Sequence, residues 1–170
     1  MKIGIISDTH DNMKNISMFL EIMKSHEVEL LIHLGDFSSP FAFKSIFSSY
    51  QNRGYAVFGN NDGDRVVLTK MAMRMGIEVA ESVNPVSIGG RRFFLMHGFG
   101  SPELTSEIAE AVARSGKYDY VLFGHTHSLR ISQMERALLI NPGEASGALT
   151  QKATAVILEI PENRVEVVEL

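Results

Sequence analysis

The chain has 170 residues with a formal net charge of −4, and 45% of its residues are hydrophobic and 21% charged. This composition is typical of a globular protein, and the length fits one domain over residues 1–170 with a sizeable core. The acidic balance argues against a broad basic face for duplex nucleic acid, and the absence of cysteine excludes disulfides, thiolate metal sites and cysteine nucleophiles.

The N-terminal residues "KIGIIS" form a short apolar run that predicts a buried strand. Asp8 follows so soon that the run is too short for the hydrophobic region of a signal peptide. No other stretch approaches the roughly 18 apolar residues of a membrane span. We therefore expect a cytoplasmic protein without a membrane partner.

In the first half of the chain, apolar runs alternate with helical patterns. A first helix follows two candidate caps, Asp11 and Asn12, and is indicated by apolar residues at helical spacing: Ile16, Phe19, Leu20 and Met23. Pro40 opens a second helix in "PFAFKSIFSSY", and a third carries Leu68, Met71 and Met75. The strands "VELLIHLGD" and "YAVFGNND" separate these helices, which predicts a parallel sheet with crossover helices.

The second half is richer in short strands. "VNPVSIGGRRFFLMHG" predicts a hairpin that turns at Gly89 and Gly90. A helix with Leu104, Ile108, Ala111 and Val112 follows, then the strand "YDYVLFGH" and several alternating segments with a turn at residues 161–163. The expected fold is α/β, with two packed mixed β-sheets flanked by helices in a four-layer α-β-β-α sandwich.

Five of the predicted strands run directly into Asp, His or Asn: "IISDTH", "LIHLGD", "VFGNND", "FLMHG" and "LFGHTH". Ligands of α/β sheets bind beyond the carboxyl ends of the strands, so these polar clusters can meet in space although they are distant in sequence. The sequence therefore predicts one constellation of polar side chains at this edge.

The constellation offers seven oxygen and imidazole donors: Asp8, His10, Asp36, Asn60, His97, His125 and His127. Such donors suit manganese, iron, zinc or nickel better than calcium, and seven exceed the needs of one tetrahedral site. If Asp36 bridges, they form two sites about 3.5–4 Å apart. Two divalent ions would make the pocket mildly cationic, which would attract a phosphate group.

The blocks "DTH", "GD", "GNND", "HG" and "GHTH", in this order from Asp8 to His127, resemble the motifs of the calcineurin-like metallophosphoesterases. The small size and the late "INPGE" are similar to the compact prokaryotic phosphodiesterase branch of that family. The resemblance implies hydrolysis of phosphodiesters by a hydroxide that bridges two divalent metal ions. Manganese is the expected metal, with nickel, iron or zinc as alternatives.

Carried over to this chain, the resemblance places one metal on Asp8, His10, Asp36 and His127 and the second on Asp36, Asn60, His97 and His125. Asp36, Asn60 and His97 are also assigned to catalysis, and Asn61 and Asp62 to substrate binding. His125 and His127, two apart on an extended segment, would point the same way, with Thr126 turned aside.

Several nearby residues have competing interpretations. Asp62 either orients a histidine or stabilises a turn, and Glu144, where relatives often have serine, either lines the pocket or faces solvent. His33 is expected to pack beneath the site, and other polar residues to have surface or capping roles: Asp11, His26, Arg65, Arg91 and Arg92. Asn61 stands where many relatives have a histidine that faces the leaving group. Because an amide cannot deliver a proton, phosphodiesters are the favoured substrates, with activated aryl diesters and cyclic nucleotides as candidates.

Two other functions remain open at this stage. The first is a phosphomonoesterase with the same metal centre. The second is an interaction scaffold like the retromer subunit that resembles this fold, which would be favoured if one of the seven donors were missing. The expected partner is a small phosphoester substrate, and the resemblance is compatible with a homo-oligomer, either a dimer or a tetramer.

Overall fold

A computed structural model describes all 170 residues and contains eleven strands and four helices. The helices are α1 (Met13–Ser25), α2 (Pro40–Phe47), α3 (Arg65–Met75) and α4 (Pro102–Arg114). The strands are β1 (Lys2–Ile6), β2 (Leu30–His33), β3 (Gly54–Val57), β4 (Glu78–Ala80), β5 (Val83–Ile88), β6 (Arg91–Met96), β7 (Tyr120–Phe123), β8 (Leu129–Met134), β9 (Ala137–Pro142), β10 (Thr154–Glu159) and β11 (Arg164–Glu169). None of the helices has the length and apolar character needed to cross a bilayer.

The strands form two mixed sheets. The larger sheet has the order β11-β10-β1-β2-β3-β4, and its four strands β1 to β4 run parallel because helices connect them. The smaller sheet has the order β5-β6-β7-β9-β8, in which β6, β7 and β9 are parallel and the two outer strands antiparallel. Parallel strands within each sheet therefore end at one edge.

Three apolar layers hold the sheets and helices together. The first lies between the larger sheet and α1 to α3, where α1 buries Ile16, Phe19 and Met23. The second lies between the sheets and joins residues such as Ile5 and Leu122, and the third packs α4 on the smaller sheet. The predicted four-layer α-β-β-α arrangement is confirmed.

Two details differ from the sequence prediction. The three-residue strand β4 was not predicted, because it is too short to show an alternating pattern and pairs along β3 only at the sheet edge. In α4, the buried residues are Thr105, Ala109 and Ala113, whereas Leu104 is 45% exposed. Ser101 caps the N-terminus of α4 and so determines where the helix begins. The helix face that packs on the sheet carries small residues, which a pattern of large hydrophobic residues does not reveal.

Candidate metal centre

All seven predicted donors lie in the loops that follow strand ends. Asp8 and His10 follow β1, Asp36 follows β2, Asn60 follows β3, His97 follows β6, and His125 and His127 follow β7. These loops bond to one another across the two sheets. The His125 N–H donates to Oδ2 of Asp8 at 3.2 Å, and Nδ1 of His97 lies 2.6 Å from the carbonyl oxygen of Leu34. The predicted constellation therefore spans both sheets.

Five of the seven donors have a left-handed backbone, with positive φ angles of 53° for Asp8, 43° for His10, 60° for Asp36, 66° for His125 and 56° for His127. This region is uncommon for residues with a side chain, although Asp, Asn and His tolerate it best. Such strain persists only where surrounding contacts enforce it, and it clusters at functional sites.

The left-handed backbone corrects one prediction. His125 and His127 do not lie on an extended segment, because β7 ends at Phe123 and both residues turn with positive φ. Both imidazoles nevertheless face the other donors. Thr126 is turned aside as expected, since its hydroxyl accepts a hydrogen bond from Nδ2 of Asn141 at 3.0 Å.

Glycines let the loops approach one another closely. A Cβ on Gly59 would lie 2.1 Å from Oδ1 of Asp36, and one on Gly35 would lie 2.6 Å from Nδ1 of His97. A Cβ on Gly124 would lie 2.2 Å from Oγ of Ser7 and 2.9 Å from the carbonyl oxygen of Leu34. Glycine is thus required where these loops meet, both within the larger sheet and between the two sheets.

Asp8 is the centre of the first group of donors. Its Oδ2 accepts from the Ser7 hydroxyl at 2.5 Å, whereas its buried Oδ1 has no hydrogen-bond partner. The Nε2 atoms of His127 and His10 lie 3.6 and 4.0 Å from this oxygen, and the two imidazole rings are stacked with parallel planes. Burial raises the pKa of Asp8.

An unpartnered carboxylate oxygen in a buried position is costly unless a positive charge compensates it. Here one carboxylate and two imidazole nitrogens surround the same space without bonding to one another. The donor set of Asp8, His10 and His127 therefore fits a divalent cation, whose charge would satisfy Oδ1 of Asp8.

The second group of donors surrounds Asp36 and Asn60. Oδ2 of Asp36 lies 3.5 Å from Nε2 of His97 and 3.7 Å from Nε2 of His10, so this carboxylate stands between the two groups. Oδ1 of Asn60 lies 3.0 Å from Nε2 of His97 and 2.9 Å from Nδ1 of His125. The Nδ1–H of His97 donates to the carbonyl of Leu34, and the Nε2–H of His125 to that of Gly100, which directs the other ring nitrogens toward Asn60.

The charges of Asp36 and His97 stabilise each other. Burial opposes ionisation of Asp36, but the nearby imidazole of His97 and the hydrogen bonds from Asn61 outweigh it and lower the pKa of the carboxyl. Burial likewise disfavours the charged form of His97, but the nearby Asp36 and Asp8 carboxylates outweigh it and raise the pKa of the imidazole. The carboxylates therefore favour a positive charge in the space between them.

Asn61 and Asp62 both contact the Asp36 loop. Asn61 donates its backbone N–H to Oδ1 and its side-chain amide to Oδ2 of Asp36, both at 2.7 Å. Asp62 is buried, and its carboxylate accepts from the backbone N–H groups of Asp36, Gly59 and Ser38. These contacts support the turn-stabilising interpretation of Asp62, and they leave it little access to the substrate expected from the sequence.

The other histidines lie outside the two groups. His33 is fully buried beneath the site, where Nδ1 accepts from the Gly35 N–H at 3.1 Å and Nε2 faces the Thr9 hydroxyl at 3.2 Å. Burial lowers the pKa of His33 to about 3, so the ring is neutral. His26 ends α1 and lies 3.2 Å from Glu166 at the surface. The cap of α1 is Asn12, whereas Asp11 accepts from Ser39 instead.

Arg65, Arg91 and Arg92 do not reach the donor groups in this structure. Arg65 donates to the carbonyls of Asp62 and Gly59 and pairs with Glu81, and Arg92 pairs with Asp119 at 3.7 Å. Arg91 opens strand β6. Surface positions were expected for all three arginines; Arg92 is exposed, whereas Arg65 and Arg91 are half-buried.

Glu144 is the site residue that the sequence analysis placed wrongly. It neither lines an open pocket nor faces solvent, but is completely buried, with Oε2 at 2.9 Å from Nδ1 of His127. One sequence signal was available, because Glu144 is the only charged residue between Arg136 and Lys152. A lone carboxylate in such a stretch is a candidate for a buried, paired position.

Comparison with known proteins agrees with this geometry. A profile of the calcineurin-like phosphoesterase superfamily domain matches residues 1–163. The chain is 39% identical to "Phosphodiesterase MJ0936" of Methanocaldococcus jannaschii over 160 residues, which cover 94% of this chain and 93% of that protein. A solved structure of an archaeal phosphodiesterase, 36% identical, superposes with a TM-score of 0.90 over the full length of both chains.

More distant structures share the fold alone. The phosphoesterase Yfce from E. coli has a TM-score of 0.68 at 21% identity, with 99% of this chain and 98% of that chain covered. Zinc-bound Vps29 from Entamoeba histolytica has a TM-score of 0.69 at 18% identity, with coverage of 100% and 98%. The profile match over nearly the whole chain and the 39% identity to a curated relative show that this chain belongs to the calcineurin-like phosphoesterase superfamily.

Proposed function

We propose that the chain is a phosphodiesterase that works with two divalent metal ions, of which manganese is the first candidate. The observation that carries the proposal is the convergence of seven donors: five of them surround Asp8 and Asp36, where Oδ1 of Asp8 has no partner, and Asn60 and His125 join them through His97. The 39% identity to a protein named as a phosphodiesterase supports diesters as the substrate class.

The residues divide between two metal positions as the resemblance implies. Asp8, His10 and His127 would hold one ion and Asn60, His97 and His125 the other, and Asp36 lies within 3.7 Å of a histidine from each set. When bound, the two ions would polarise the phosphoryl oxygens and lower the pKa of the attacking water. No side chain is then needed as a nucleophile.

The chain's own residues orient this chemistry. Ser7 and the His125 N–H hold one oxygen of Asp8, so that the other faces the donor space. Asn61 holds both oxygens of Asp36 and, as an amide, has no proton to give to a leaving group. Diesters whose leaving group departs as a stable anion, such as nitrophenyl diesters, are therefore the favoured substrates.

The test begins with protein stripped of metal by a chelator. We expect no hydrolysis until Mn²⁺, Ni²⁺, Fe²⁺ or Zn²⁺ is restored, and faster turnover of nitrophenyl diesters than of monoesters. Full activity in metal-free protein would contradict the proposal. Stoichiometric metal binding without turnover of any mono- or diester would favour the scaffold function instead.

Two substitutions test the ligand assignment by elemental analysis. Asp36→Asn is expected to reduce binding of both ions, whereas His127→Ala is expected to affect first the ion shared with Asp8 and His10. His26→Ala is the matched control, because this histidine lies at the surface at the end of α1. Retention of both ions by Asp36→Asn, with normal rates, would show that the carboxylate does not bridge.

A further inference from the structure

Glu144 is held in a dense set of hydrogen bonds directly behind His127. Its Oε1 accepts from the backbone N–H groups of Leu149 and Thr150, at 2.9 and 2.5 Å, and from the Thr150 hydroxyl at 2.7 Å. Its Oε2 accepts from the Ser146 hydroxyl and from Nδ1 of His127, both at 2.9 Å. Four donors besides His127, two of them backbone N–H groups that can only donate, thus surround the two oxygens and favour the ionised carboxylate.

This arrangement determines where His127 carries its hydrogen. An ionised carboxylate only accepts hydrogen bonds, so Nδ1 of His127 must be the protonated nitrogen of a neutral ring. The lone pair is then on Nε2, which is the atom that lies 3.6 Å from the unpartnered Oδ1 of Asp8. A metal ion can bind an imidazole only through an unprotonated nitrogen.

We propose that Glu144 is a positioning residue that keeps His127 in the Nδ1–H tautomer and so presents Nε2 to the metal shared with Asp8 and His10. The inference rests on the proposed function for the metal itself, and adds a buried carboxylate that acts through His127 rather than on the substrate. Carboxylates that accept from the second nitrogen of a ligand histidine orient the ring and raise its basicity.

Glu144→Gln distinguishes this role from that of a simple loop anchor. Oε1 faces two backbone N–H groups and a hydroxyl, so the amide oxygen of glutamine is favoured there. The amide NH₂ then faces Nδ1 of His127, which can satisfy it only by becoming an acceptor. The ring hydrogen consequently moves to Nε2, where it blocks the metal position.

The first measurement determines the tautomer in metal-free protein. Long-range ¹⁵N–¹H spectra in alkaline buffer, with the His127 signals identified by their loss in His127→Ala, report which ring nitrogen is protonated. We expect Nδ1–H in the wild type and Nε2–H in Glu144→Gln. An Nε2–H tautomer in the wild type would overturn the proposal, and this result does not depend on whether the variant folds.

The second measurement is Mn²⁺ affinity by equilibrium dialysis. Loss of the residue that bonds to the second nitrogen of a ligand histidine typically lowers metal affinity about 10–100-fold. We therefore expect Glu144→Gln to weaken the binding of one of the two ions by roughly this factor. Wild-type affinity for both ions in Glu144→Gln would overturn the proposal. Neither measurement requires turnover, so a protein that hydrolyses no phosphodiester would refute the proposed function and leave this inference standing.

Two matched controls separate positioning from anchoring. Ser146→Ala removes the other donor to Oε2, and Thr150→Val removes the hydroxyl from Oε1, while both leave the contact between Glu144 and His127 in place. We expect both controls to keep the Nδ1–H tautomer and the wild-type affinity. If Thr150→Val lost the metal to the same extent as Glu144→Gln, Glu144 would be a loop anchor only.

Discussion

The buried carboxylate of Asp62 links the loops that carry Asp36 and Asn60, and its substitution tests this link quantitatively. Oδ2 accepts from the N–H groups of Asp36 at 2.9 Å and Gly59 at 2.7 Å, and Oδ1 accepts from the Ser38 N–H at 2.7 Å. In Asp62→Asn, the amide oxygen can retain the two donors at the Oδ2 position. The amide NH₂ must then face the Ser38 N–H.

The expected loss follows from this geometry. The substitution replaces the charge-assisted hydrogen bond from the Ser38 N–H by a contact between two N–H donors. This change lowers the free energy of unfolding by about 2 kcal/mol. For a chain of this length, the loss corresponds to a fall in Tm of about 4–8 °C. Because the two linked loops carry Asp36 and Asn60, which are proposed metal ligands, metal affinity should fall as well.

Urea unfolding of metal-free protein measures the change, with Asp64→Asn as the control. Asp64 is exposed and its side chain caps no helix N–H, so this variant should stay within about 0.5 kcal/mol of the wild type. If Asp62→Asn were equally neutral and raised KM instead, Asp62 would bind substrate, and the structural role argued from its contacts would be refuted.

Three further predictions concern a loop glycine, the buried histidine beneath the site and the protonation of the leaving group. Gly124→Ala should lower the free energy of unfolding by about 1–3 kcal/mol because its Cβ would lie 2.2 Å from Oγ of Ser7, whereas Gly63→Ala, with nothing within 4 Å, should be neutral in the same urea titration. The neutral His33, with a pKa of about 3, makes the protein less stable as pH falls from 6.5 toward 3, because only the unfolded chain takes up the proton. His33→Gln should therefore flatten the slope of unfolding free energy in this range by up to about 1.4 kcal/mol per pH unit; an unchanged slope would show that the ring is protonated in the fold. Asn61→His should raise the kcat/KM for alkyl diesters relative to nitrophenyl diesters by at least about tenfold, part of the roughly 10²–10⁴ that a positioned acid supplies, and Asn61→Gln should leave the ratio unchanged.

Strand direction explains why the sequence predicts that the seven donor side chains converge. Parallel strands such as β1, β2 and β3 end at one edge, so residues that follow them must converge. The burial of Glu144 was not predictable in this way. It depends on the loop after β9 folding back so that the Ala145 N–H donates to the carbonyl of Ser7 at 2.9 Å, a long-range contact without a periodic pattern.

The left-handed turns at Asp8, His125 and their neighbours also escaped prediction. An alternating pattern indicates a strand, but it does not indicate where the strand ends and the backbone adopts positive φ angles. The extended segment inferred for His125 and His127 failed for this reason. The residue types themselves contained a hint, since Asp, Asn and His are the side chains that best tolerate positive φ.

The donors come from both sheets, which elsewhere meet through aliphatic and aromatic side chains. An ion held jointly by Asp36 and His97 would therefore act as a cross-link between the two halves of the sandwich. By mass action, a ligand at 100 times its Kd adds about 2.7 kcal/mol to the free energy of unfolding. Resistance to heat or protease should then rise and fall with the free concentration of the metal, so that the abundance of the folded protein in a cell would depend on metal supply.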